Sequence, residues 1–153
     1  MGFDVYGLKP KINKEKPKTL NKYQNEDGWT QWDKMNDEDR DIYFKAQDEY
    51  HTNNPGVYFR SNVWWWRTLW DYTCNVCHDI LTKDEMMSGQ YNDGKTISKT
   101  KSNKMAKALK KAETNGYLNE FEANHEDSTY PFSVDVAIDF RKFIEESGGI
   151  EIS

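Results

Sequence analysis

The chain has 153 residues, and 21 Lys and Arg against 26 Asp and Glu leave a formal charge of −5 at pH 7. That length is enough for one domain with a buried core, and the mild acidic excess argues against a general nucleic-acid coat or a membrane-surface protein. Leu, Ile, Val and Phe together number 27, about 18% of the chain and under the roughly 20% that warns of disorder, but 6 Trp and 9 Tyr supply much of the missing apolar surface.

No run of 18 apolar residues occurs, so no membrane span is expected. The start, Gly2-Phe3-Asp4-Val5-Tyr6, has neither a basic nor an apolar leader region. A cytoplasmic protein with two reduced thiols is therefore expected. Residues 2 to 7 alternate, with Phe3 and Val5 on one side, and read as a short strand. Lys9 to Lys22 holds six lysines and one acid, and residues 26 to 41 hold seven acids. Few large apolar side chains lie between, so 9 to 35 reads as a polar loop or insertion within a single domain. Asn36 caps a helix whose first turn is acidic, and Ile42, Tyr43, Ala46 and Tyr50 form its partial apolar stripe. Asn54 and Pro55 end it. Residues 57 to 60 read as extended.

Ser61 opens the strongest element, a helix over about 62 to 81. Val63, Trp66, Trp70, Thr73 and Cys77 recur at steps of three and four, with Trp65, Leu69, Tyr72 and Val76 on the adjoining face. So wide an apolar arc predicts a central helix. Asp93-Gly94 marks a turn. A helix follows over about 100 to 115, ended by Asn115-Gly116, then a short one over 117 to 124. Ser133 caps a last helix over 134 to 147, and 150 to 153 reads as a strand. Both chain ends are strand-like and are expected to pair. The predicted fold is α+β: a small sheet of the two terminal strands, joined by 57 to 60, packed on three to four helices around the Trp-rich one.

Three segments carry a resemblance. They are Gly2-Phe3-Asp4-Val5-Tyr6-Gly7, then Tyr58-Phe59-Arg60-Ser61-Asn62-Val63-Trp64-Trp65-Trp66-Arg67, and Ser147-Gly148-Gly149-Ile150-Glu151-Ile152. Together they resemble a family of small proteins encoded by tailed bacteriophages and prophages. The resemblance implies an accessory protein acting in a host cytoplasm and supplies no mechanism. Many relatives carry a zinc-ribbon-like cysteine pair in the region matching about 122 to 130. This chain has no cysteine there, so that metal site is not carried over.

The candidate ligand-binding set is Arg60, Asn62, Trp64, Arg67, Trp70 and Asp71. Arg67 and Asp71 lie one helical turn apart and can pair. Arg60 and Asn62 sit at the helix start, where free backbone N–H groups favour anions. Trp faces stack on bases, and Arg holds phosphate bidentately. The same residues also suit a packed core with an internal ion pair and a helix cap. Cys74-Asn75-Val76-Cys77-His78 spells a haem-attachment pattern, and Cys74, Cys77 and His78 with His51 or His125 could make a zinc set. Two buried thiols and a surface histidine explain the segment as well, and no cofactor or metal is expected. Lys99, Lys101, Lys104, Lys107, Lys110 and Lys111 read as a solvated helix face.

The expected function is a non-enzymatic phage accessory protein binding a host protein or a signalling nucleotide, with a counter-defence role. One alternative is a small hydrolase-like enzyme using His51, His125 or the carboxylates of 120 to 127. Another is a zinc-stabilised interaction module.

Overall fold

A computed structural model describes residues 2–126 and 129–153. Two compact units emerge: one combines the segments up to Lys11 and from Pro55 onward, and the other is Ile12–Asn54.

The first unit holds a four-stranded antiparallel sheet ordered β2-β1-β4-β3. These strands are β1 (Gly2–Gly7), β2 (Tyr58–Asn62), β3 (Lys95–Ile97) and β4 (Ile150–Ile152). The two chain ends pair as expected, with Val5 opposite Ile152 and Gly7 opposite Ile150. The expected extended segment joins at the outer side of β1, with Phe3 opposite Ser61. β3 pairs with β4 through Lys95–Ile152 and Ile97–Ile150. Alternation then sends Phe3, Val5, Ile97, Ile150 and Ile152 to one buried face.

The helices of this unit are α3 (Val63–Val76), α4 (Lys83–Ser88), α5 (Lys99–Thr114), α6 (Tyr117–Asn124) and α7 (Val134–Ser147). The class is α+β, as the periodicities predict. Side chains at the helix starts accept backbone N–H bonds: Asn62 from Trp65, Thr82 from Glu85, Ser98 from Lys101 and Ser133 from Val136. Gly148 leaves α7 in the left-handed conformation that glycine adopts without steric cost. One core cluster joins Trp66, Trp70 and Tyr72 of α3 to Met105 and Leu109 of α5 and to Phe140, Phe143 and Ile144 of α7.

Two details of the central helix differ from the expectation. Asn62 is its cap, and Ser61 instead belongs to β2. The helix ends at Val76, and a run of turns carries the chain from Cys77 to Leu81, closed by Ile80 N–H and Leu81 N–H bonds to Cys77 O. Apolar spacing continues through those turns because Cys77 and Leu81 are buried there too.

In the second unit, α1 (Lys18–Lys22), a 3-10 turn (Trp32–Lys34) and α2 (Asp37–Asn53) share a small core of Leu20, Tyr23, Met35 and Tyr43. The stretch 9–35, expected as a loop, thus contains helical turns. Its few apolar residues pool with Tyr43 from α2, which none of them could do within the stretch alone. Asn36 forms a full capping box with Asp39. Ile42, expected inside, is exposed. Among the described residues no helix is long and apolar enough to cross a membrane.

Candidate functional site

The site begins with the phase of α3. Three consecutive Trp residues are spaced about 100° apart around a helix, so they cannot share one environment. Trp66 goes inward and is almost fully buried, while Trp64 remains 54% exposed. Trp70, four residues on, stacks on Trp66 with centroids 5.5 Å apart and planes at 12°. Phe3 of β1 stacks on the same indole at 5.1 Å.

Both buried indoles spend their N–H groups on the following segment. Trp66 Nε1–H donates to Gly89 O at 2.7 Å, and Trp70 Nε1–H donates to Met86 O at 2.8 Å. These bonds tie α4 and its exit to α3. Gly89 lies so close that an added Cβ would sit 2.0 Å from Trp70 Cε2. The next residues, Gln90 and Tyr91, are thereby fixed beside α3.

Tyr130 closes the opposite side. Its ring stacks on Trp64 at 5.5 Å, and the Arg67 guanidinium lies 5.7 Å from its centroid. Thr68 Oγ1 donates to Pro131 O, which holds this segment to α3. The result is a cavity of about 320 Å³. Phe3, Trp66 and Trp70 form its apolar base. Arg67, Asp71, Gln90, Tyr91 and Tyr130 are the principal polar groups around it.

Of the six predicted residues, Arg67, Trp70 and Asp71 line this cavity. The expected Arg67–Asp71 ion pair is absent among the described residues, because the guanidinium lies over Tyr130 instead. Partial burial pushes the Asp71 carboxyl above its ordinary pKa, and the charges of His125 and Arg67 oppose that shift. Arg60, Asn62 and Trp64 do not line it. Arg60 is 73% exposed on β2 and sits 3.9 Å from Asp4, whose carboxylate also accepts from Tyr58 Oη–H. Asn62 Oδ1 is engaged as the helix cap at 3.0 Å from Trp65 N. Trp64 acts through Tyr130.

Sequence reading missed Phe3, Gln90, Tyr91 and Tyr130, which arrive from distant segments. One local signal was available for α4: Thr82 and Glu85 have capping-box spacing, and that box is formed.

The cysteine segment gives no metal cluster. Burial pushes the Cys74 and Cys77 thiols up to about 12. His78 Nδ1–H donates to Asn75 O at 3.0 Å. Among the described residues, no three His, Cys, Asp or Glu side chains converge to hold a metal ion. Glu122, His125 and Glu126 line a second cavity of about 380 Å³. There Glu122 Oε2 accepts from Val134 N–H at 2.9 Å, and His125 Nδ1–H donates to Phe121 O at 2.8 Å. Asp127, from the same predicted group, lies outside the described residues. His51 belongs to the Ile12–Asn54 unit. Along α5, Lys101 reaches Glu85 at 2.5 Å, while Lys104, Lys107, Lys110 and Lys111 are exposed.

Comparisons with protein-family models, with curated proteins and with solved structures each returned no match.

Proposed function

We propose that the chain is a non-enzymatic binding protein and that the aromatic-based cavity beside Arg67 takes a nucleotide. The observation that carries this is the cavity itself. Its volume, about 320 Å³, lies at the low end of small-ligand pockets, which run from about 300 to 1,000 Å³. That suits a mononucleotide rather than a peptide. Its base is apolar, and Tyr91 in its lining leaves an exposed aromatic face of the kind a heteroaromatic ring prefers. Arg67, exposed at the rim, offers a planar cationic fork for phosphate. The lining hydroxyl of Thr68 donates to a backbone carbonyl, so it is not set up as an activated nucleophile. With the phage-like motifs, the reading extends to removal of a host signalling nucleotide as counter-defence.

Calorimetric titration of the full chain with nucleoside 5′-monophosphates tests the reading. Saturable binding is expected, and Arg67→Ala should weaken it by about tenfold, the scale of one lost charge-assisted phosphate contact. Absence of binding heat with every nucleotide would refute it.

One observation favours the host-protein reading. In the Ile12–Asn54 unit, Trp32 and Phe44 stack at 5.4 Å while 42% and 47% exposed. Exposed stacked aromatics are common anchors of protein interfaces. That reading predicts capture of a host protein by the wild-type chain and its loss on Trp32→Ala. Equal capture by both chains would contradict it.

A further inference from the structure

We propose that the nucleotide taken by this cavity carries a guanine base, read by the Asp71 carboxylate; the inference rests on the nucleotide reading above. Elimination within the lining leads there. The two buried indole N–H groups are committed to Gly89 O and Met86 O, and the Thr68 hydroxyl donates to Pro131 O. The apolar base therefore offers a ring no donor from its indoles. Arg67, Asp71, Gln90 and the Tyr91 and Tyr130 hydroxyls line the cavity as polar groups able to read an edge.

Asp71 is the member of this set that, when ionised, can only accept. Among the described residues no hydrogen bond or ion pair reaches its carboxylate, although Arg67 lies one turn away on the same helix. A carboxylate accepts and cannot donate, so it selects an edge made of adjacent N–H donors. Guanine presents such an edge through N1–H and its 2-amino group. Adenine and cytosine place an amino group beside a ring acceptor, and uracil flanks its N–H with two carbonyl oxygens. Each puts an acceptor against the carboxylate. The Gln90 amide supplies the N–H that guanine O6 needs. Arg67, four residues (about 6 Å) along the helix from Asp71, remains for the phosphate.

Titration of the full chain with 5′-GMP, 5′-IMP, 5′-AMP and 5′-UMP tests the assignment. GMP should bind at least about tenfold tighter than AMP, the discrimination one bidentate base contact provides. IMP keeps N1–H and lacks the 2-amino group, so it should fall between them. Asp71 is exposed, and Asp71→Asn should keep the fold while abolishing the GMP preference, because GMP loses its double acceptor and the ring acceptor of AMP no longer faces a carboxylate. Arg67→Ala should weaken all four by a common factor. AMP binding as tightly as GMP, or a preference unchanged in Asp71→Asn, would overturn the guanine assignment and leave the nucleotide reading standing. Failure of all four to bind would overturn both.

Discussion

Asp71 combines an exposed position with a carboxyl that partial burial holds above its ordinary pKa. The charges facing it are Arg67 on its own helix and His125 from the end of α6, and both favour the ionised form. Because the net shift is upward, the fold binds this proton more tightly than the unfolded chain does. The stabilisation is complete below the ordinary carboxylate range, about pH 4, and is lost as pH rises through the raised folded value. Asp71→Asn mimics the protonated form. It should therefore melt at or above the wild-type temperature near neutral pH, and the difference should close as the pH falls through that window. Thermal melts across a pH series check this, and a variant less stable than wild type at neutral pH would contradict it.

The helices α5 and α7 are joined by a buried charge as well as by apolar packing. Arg141 is almost fully buried and makes two bonds to Glu113, at 2.7 and 3.0 Å, and one to Glu145 at 2.8 Å. Glu113 is buried with it, whereas Glu145 faces solvent. Removing the buried partner leaves the guanidinium with only the solvent-facing Glu145, so Glu113→Ala should cost about 3 kcal/mol. Glu145→Ala should cost under about 1 kcal/mol. Denaturant midpoints at an unchanged slope would separate the two. At this scale the sequence was readable where the signals were local. The caps Asn36 and Ser133 and the stripe of α3 each lie within a few residues of the element they define. The strand β3 was not readable, since three residues with one buried side chain, Ile97, carry no period. The six-residue α4 has almost no apolar stripe and is held by indole bonds from α3.

For the whole molecule, the pairing of the two chain ends in one sheet was legible from their alternation, and the division into two units was not. Leu20, Tyr23 and Met35 look isolated in a polar stretch until Tyr43 brings them together. The candidate site shows the same limit. Its helix residues, Arg67, Trp70 and Asp71, follow from spacing, but Phe3, Gln90, Tyr91 and Tyr130 meet them only through tertiary contacts. On the proposed reading this cavity, not another surface, receives the nucleotide. Five of the six Trp residues report on it separately, because Trp66 and Trp70 line the cavity, Trp64 stacks on its rim residue Tyr130, and Trp29 and Trp32 belong to the other unit. The most direct measurement is a heteronuclear NMR titration of the indole N–H resonances with 5′-GMP, each assigned from a single Trp→Phe variant. Saturable shifts are expected at Trp66 and Trp70, with Trp29 and Trp32 unmoved. Shifts confined to Trp29 and Trp32, or no shift at any indole, would contradict it.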